Sequence, residues 1–303
     1  MKKKLPITYS KERVVLSDVL PYETPLTFSN RFFYHYLIKR RKQNDSREIL
    51  PELERLIFNC GDVTNPFRFR ITHKENDYRE LNVIHPNNQL AVVKFYEQYK
   101  DVILYNSSIS SFSMRKPSSV AKFTFYNDKL HSRTKDGDLK HSQIEQDDSE
   151  YENLKSYFTY KKYSNIHKFF ESYDFHRCEK KYNKLLMLDV SKCFDSIYTH
   201  TISWALFNKD IVKDNINDSR NTFAGEFDEL MQKLNANETN GIVIGPEFSR
   251  IFSELILQKI DRNIEDSLKN PKNNDASLIH KVDYEIFRYV DDYFIFYKSE
   301  NDR

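Results

Sequence analysis

The sequence predicts an α/β chain of the α+β kind, with an antiparallel sheet in its C-terminal part backed by helices. Three stretches carry that prediction. Ile286-Phe287 and Phe294-Ile295-Phe296-Tyr297 are β-branched and aromatic runs flanking Arg288-Tyr289-Val290-Asp291-Asp292-Tyr293, which reads as a hairpin with both aspartates at its turn. Leu185-Leu186-Met187-Leu188-Asp189 is an apolar run of strand length that ends on an acid and passes into a turn and a helix. Phe248, Ile251, Phe252, Leu255, Ile256 and Ile260 form one apolar helical stripe, with Ser249, Arg250 and Glu254 at other angles.

Along the chain, residues 1–28 are proline-punctuated (Pro6, Pro21, Pro25) and are expected to be extended, wrapping over another part of the fold. A helix is expected after Ser29, with Phe32, Phe33, Tyr36 and Leu37 at core spacing and Arg40-Arg41-Lys42 near its end, where cations complement the dipole. Arg68–Ile71 and Tyr78–Asn82 read as strands around the polar turn 72–77. Pro86 to Tyr105 reads as a helix, with Leu90, Val93, Tyr96, Val102 and Leu104 as its apolar positions. Ser107–Ser119 is serine-rich, and 128–150 is a charged, polar insertion. Tyr163–Tyr182 places Ile166, Phe169, Phe170 and Tyr173 at helical spacing. His200 and Trp204 read as packing or capping residues, because no nucleophile pattern accompanies the histidine. The 207–240 segment is Asn-rich with one helix around Phe223–Leu234, and Gly245-Pro246 opens the striped helix, proline suiting a first turn.

Composition bounds the function. A chain of 303 residues holds one large or two modest domains, and 23 Phe with 20 Tyr fill a core despite 30% charged residues. Five glycines argue against a glycine-rich phosphate loop. A net charge of +2 gives no global field for nucleic acid, so any basic path is local. Cys60, Cys178 and Cys193 are too few and too scattered for a disulfide framework or a zinc site. Met1-Lys2-Lys3-Lys4 precedes no apolar stretch of a secretory signal. No apolar run approaches the ~18 residues of a membrane span, so a cytoplasmic location without membrane contact is expected.

The carboxylates carry the chemistry. Adjacent acids at a turn repel and are costly to ionise unless a cation sits between them. Two solvated aspartates at a hairpin tip need no metal, so the pair alone favours a plain turn. An acid ending a buried strand, however, needs a partner or a metal. Asp189 with Asp291 and Asp292 offers three oxygen donors at the ends of adjacent strands, a set suited to Mg²⁺ and to two-metal phosphoryl or nucleotidyl transfer.

Leu188-Asp189-Val190-Ser191-Lys192-Cys193-Phe194 resembles the first palm motif of reverse transcriptases, and Tyr289-Val290-Asp291-Asp292 resembles their third. Gly241-Ile242-Val243-Ile244-Gly245-Pro246-Glu247-Phe248-Ser249-Arg250 is similar to the middle motif, in the right order and spacing. Leu16-Ser17-Asp18-Val19-Leu20-Pro21-Tyr22-Glu23-Thr24-Pro25 and Cys193-Phe194-Asp195-Ser196-Ile197-Tyr198-Thr199-His200-Thr201 extend the likeness to bacterial defence-associated, abortive-infection reverse transcriptases, most of all the b-type enzymes of type-3 defence systems.

That resemblance implies a right-hand fold: the extended segment 1–28, fingers over 29–182, and a palm over 183–303 with the thumb outside this chain. It implies catalysis by Asp189, Asp291 and Asp292, with Val190 beside them as a metal ligand and two Mg²⁺ ions, for which Mn²⁺ is a substitute. Arg70, Arg79, Arg115, Cys193, Phe194 and Gly245 become nucleotide-binding candidates, Phe194 as the ring that excludes a 2′-hydroxyl. Glu23, Arg31, Lys74 and Tyr289 become candidates for the nucleic-acid side. Deoxynucleotides, a DNA product, a non-coding RNA and a partner reverse transcriptase subunit are the implied partners, in a homo- or hetero-oligomer. Val243 and Ile244 stand where the family often has proline and glutamine, so RNA-directed and template-independent synthesis both remain open. The competing reading is a catalytically silent scaffold that binds RNA or a partner polymerase.

Overall fold

The computed structural model describes residues 3–6, 10–25, 28–43, 55, 57–58, 61, 63–75, 77–121, 124–127, 156–163, 165–271 and 276–298. The 128–150 insertion lies outside them. The first departure from expectation comes at once. After β1 (Lys3–Pro6), a 3₁₀ turn over Lys11–Arg13 runs into α1 (Val14–Ser17), so the N-terminal segment is helical where extended chain is expected. Val14, Val15 and Val19 are fully buried in the main core, and that burial outweighs the prolines on either side. α2 (Arg31–Gln43) follows; Leu37 reaches the core with Phe33 and Tyr36 against it, while Phe32 is exposed.

β2 (Phe67–Lys74) and β3 (Asp77–Val83) pair antiparallel, with Arg70 opposite Glu80 and Ile71 opposite Arg79. Lys74 pairs with Asp77, so the turn is tighter than the sequence suggests. α3 (Pro86–Asn106) starts with Pro86 in its first turn, and His85 Nδ1 accepts the Asn87 N–H at 3.2 Å. It buries Val92, Val93, Phe95, Tyr96 and Ile103; Val102 faces solvent.

β4 (Arg115–Val120) pairs with β6 (Phe158–Lys162), and β5 (Thr124–Asn127) with β1. The helix expected over 163–182 is two, α4 (His167–Phe170) and α5 (Tyr173–Lys181), because the Ser172 hydroxyl accepts the Phe175 N–H at 3.2 Å and starts a new helix. Then come β7 (Lys184–Asp189), α6 (Cys193–Ser196), α7 (Thr201–Phe207), α8 (Lys209–Asp214), α9 (Ile216–Ser219) and α10 (Phe223–Leu234). α11 (Glu247–Lys269), β8 (Tyr284–Tyr289) and β9 (Asp292–Tyr297) complete the described chain.

β7, β9 and β8 form an antiparallel sheet in that order. Strand alternation sends Phe287, Phe294 and Phe296 to one face, against Phe169 of α4 and Cys178 of α5. Ile286, Tyr293 and Tyr297 go to the other, with Ile264 and Leu268 of α11. Helices therefore back both faces. β7 contradicts the expectation of a buried strand: it is an edge strand, with Leu185, Met187 and Leu188 41%, 60% and 48% exposed. No helix among the described residues has the length and apolarity to cross a membrane.

Asp18 ties the N-terminal segment to the rest. Its carboxylate accepts the Tyr157 N–H at 2.8 Å and the Ser17 hydroxyl at 2.6 Å, and its carbonyl accepts the Phe248 N–H at 3.0 Å. Complete burial pushes this acid from 3.8 up to about 7; the bonds from Ser17 and Tyr157 and the Arg13 charge oppose the rise, and Glu247 adds to it. A pKa raised on folding contributes stability below about pH 4 and loses it as pH rises through about 7. Asp18→Asn keeps an oxygen for the Tyr157 N–H and removes the buried charge. Its Tm is expected to exceed the parent's by roughly 5 °C at about pH 8 and to match it near pH 4, read by thermal melts. A lower Tm at the higher pH contradicts this.

Candidate active site

The Asp189 end of the sheet is where the motifs meet. Asp189 is the register partner of Asp292, which is in turn the partner of Tyr289, and the Val190 N–H donates to the Asp291 carbonyl at 3.3 Å. The turn is offset by one residue from the sequence reading: Val290 and Asp291 occupy it, and Asp292 is the first residue of β9. Val290 has φ +58°, a left-handed conformation unfavourable for a β-branched residue and costing roughly 1–3 kcal/mol.

Arg288 holds that turn. Its side chain is 0% exposed, and its donors reach Asp261 (2.8 and 3.0 Å), Glu254 (2.8 and 3.2 Å) and the Val290 carbonyl (2.7 Å). The Tyr293 hydroxyl donates to Asp261 at 2.8 Å, and Gln258 to Glu254 at 2.7 Å. The buried guanidinium thus fastens the acid-bearing turn to α11. The signal for it was legible: a charge inside an apolar strand requires a buried partner.

Asp189, Val190 and Asp291 line a cleft of about 680 Å³ with Cys193, Phe194, Arg79, Arg68 and Lys192. The loop before α6 folds back through the Cys193 N–H to the Val190 carbonyl (3.1 Å), while Lys192 takes φ +50°. The middle motif closes the next wall, its Ile242 N–H donating to the Phe194 carbonyl at 3.0 Å and its Ile244 carbonyl accepting the Asn82 N–H of β3 at 2.9 Å. Gly241, at φ +81°, lies against the Asp195 carbonyl, 3.1 Å from where a Cβ would stand.

Burial raises the pKa of Asp291, and the charge of Asp189 raises it further; its own backbone N–H, Arg79 and Arg250 pull it down. Asp292 is raised by burial, then by Asp291 and Asp189. The Cys193 thiol is pushed up to about 11 by burial and by Asp291 and Asp189, so it is a wall residue, not a nucleophile. Each acid of the turn therefore feels Asp189. Yet no three His, Cys, Asp or Glu side chains among the described residues are gathered as a metal's ligands. Asp292 is exposed and is not among the cleft's lining residues.

Several candidates lie elsewhere. Arg115, expected at a phosphate, makes a two-pronged ion pair with Glu247 at 2.7 and 3.0 Å and lies over the Tyr160 ring at 4.3 Å, joining β4 to the start of α11. Gly245, expected to admit nucleotide, faces Pro21 instead: at φ +119°, a Cβ there would meet the Pro21 Cβ at 2.5 Å. Arg70 is 72% exposed, 3.6 Å from Glu80 and off the cleft. Arg68, two residues earlier on the same strand face, lines the cleft in its place. Glu23 is exposed, Arg31 half-buried at the start of α2, and neither lines the cleft. Tyr289 is half-buried against the Phe287 cluster. The Lys74 side chain lies outside the described residues. The stripe on α11 also differs: Ile260 is exposed, while Glu254 is buried by its pairing with Arg288 and Ser249 is buried outright.

No protein-family model matches the chain, and no curated protein matches it.

Proposed function

We propose that this chain carries the palm of a reverse-transcriptase-type DNA polymerase, of the kind found in bacterial anti-phage defence. The supporting observation is that Asp189, Asp291 and Asp292 meet at one sheet end, Asp189 and Asp291 lining a cleft that Arg79 and Arg68 also line. All donors are oxygen, and Asp291 and Asp292 are partly desolvated, which suits Mg²⁺ or Mn²⁺ held by these three acids. Like charges repel, so a cation would be needed to draw the three carboxylates together as ligands.

The charge of the cleft favours the same reading. Six carboxylates line it (Asp77, Glu80, Asp189, Asp195, Glu238, Asp291) against three cations, Arg68, Arg79 and Lys192. A wall of that sign rejects a triphosphate unless divalent cations enter too. Ions held by Asp189, Asp291 and Asp292 would activate the attacking hydroxyl and neutralise charge on the departing pyrophosphate. Arg79 and Arg68 grip phosphate oxygens with planar forks, and Lys192 adds a point charge. Phe194, 9% exposed, lines the cleft; in the proposed reaction its ring would lie beneath the sugar and exclude a 2′-hydroxyl. An O–P bond forms at the α-phosphorus as the bond to pyrophosphate breaks.

Labelled dNTPs and Mg²⁺ given to the full chain, alone and with co-purifying RNA, test the reading. Labelled DNA is expected, with rNTPs at least about tenfold poorer substrates. No product under either condition, with folding intact, leaves the silent scaffold as the correct reading.

A further inference from the structure

A second cavity, of about 520 Å³, lies among α7, α8, α9 and α10, and shares no lining residue with the cleft above. Trp204, Val212 and Ile216 give it apolar walls. Its acids are already engaged. Asp228 pairs with His200 Nδ1 through one oxygen and accepts the Gln232 amide at 2.7 Å through the other, while Glu229 pairs with Lys233 at 2.9 Å. Lys213 and Arg220 also line it, and among the described residues neither is in an ion pair. The lining's two acids are thus occupied by other partners, which leaves Lys213 and Arg220 to meet an anion.

His200 is oriented by its acid. With Nδ1–H donated to Asp228, the neutral imidazole leaves Nε2 to accept a hydrogen bond. Trp204 offers a ring, with the Lys209 ammonium over one of its faces, 5.0 Å from the centroid, as a third cation. A flat ring, an N–H donor and an anion are the chemistry that complements these walls, and the volume falls in the range of small-molecule sites. An arginine and a lysine together favour phosphate as the anion.

We infer that this cavity binds a nucleoside monophosphate or a phosphate-bearing ring of that size, with the ring against Trp204, its N–H on His200 and its phosphate on Lys213 and Arg220. The site is independent of the proposed polymerase reaction. Trp204 is the single tryptophan of the chain, so its emission reports this site alone. The full chain is titrated with AMP in EDTA, which removes the divalent cations the cleft requires. Saturable quenching is expected with a Kd at or below about 1 mM, with adenosine and inorganic phosphate each at least about tenfold weaker. Lys213→Ala with Arg220→Ala should weaken AMP by roughly a hundredfold with an unchanged circular dichroism spectrum. Equilibrium dialysis of labelled AMP runs in parallel, so that a silent fluorophore does not hide binding. No saturable AMP binding by either method, or equal binding by the double variant, overturns the inference.

Discussion

Replacing Asp291 and Asp292 together by asparagine is expected to lower nucleotide incorporation by at least about 10³-fold while leaving the protein as stable as before, or more so. On the proposed reading, the loss follows from removing two of the three negative charges that would hold divalent cations, each worth several kcal/mol to the transition state. The stability gain follows from the linkage sign. Both carboxyls have pKa values raised on folding, Asp291 by burial and Asp189, Asp292 by burial, Asp291 and Asp189. Such groups cost stability once pH exceeds their folded pKa values, and the amides remove that cost. Activity and melting temperature thus move in opposite directions, which general misfolding does not produce. A variant that retains incorporation contradicts the assignment of these acids to catalysis.

Arg288→Met is expected to be the most damaging single substitution for the fold. It strands Glu254 and Asp261, 5% and 0% exposed, without their shared cation. Breaking a buried charge cluster from one side costs about 3–5 kcal/mol. It also frees the Val290 carbonyl, the anchor of the left-handed turn residue. Adding Glu254→Gln and Asp261→Asn to Arg288→Met should recover most of the melting temperature, because apolar or neutral replacements of a whole buried network are tolerated. Incorporation should stay low in the triple variant, since nothing then anchors the turn beside Asp291. Recovery of full activity in the triple variant contradicts a positioning role for Arg288.

The sheet was legible from its β-branched and aromatic runs; that Phe287, Phe294 and Phe296 serve one core and Ile286, Tyr293 and Tyr297 another emerges only in the structure. Asp189 beside the aspartate turn was legible too, from two apolar runs each closing on acids. The rest depended on partners far along the chain, which local pattern does not encode. Arg115 is committed to Glu247, 132 residues away, and Gly245 makes room for Pro21. β7 reads as a buried strand because an apolar run alone does not reveal how many neighbours a strand has. The one-residue offset of the turn is a matter of register, where hydrophobicity alone discriminates weakly among Val290, Asp291 and Asp292.

The measurement closest to the central claim is a titration of the full chain with Mn²⁺, followed by electron paramagnetic resonance of the free ion. If residues 189, 291 and 292 share divalent cations, the unaltered chain removes Mn²⁺ from solution saturably, Mg²⁺ competes, and Asp189→Asn with Asp291→Asn does not bind it. Equal Mn²⁺ uptake by that variant, or none by the parent in the presence of dNTP, means the acids at this sheet end are not a metal site.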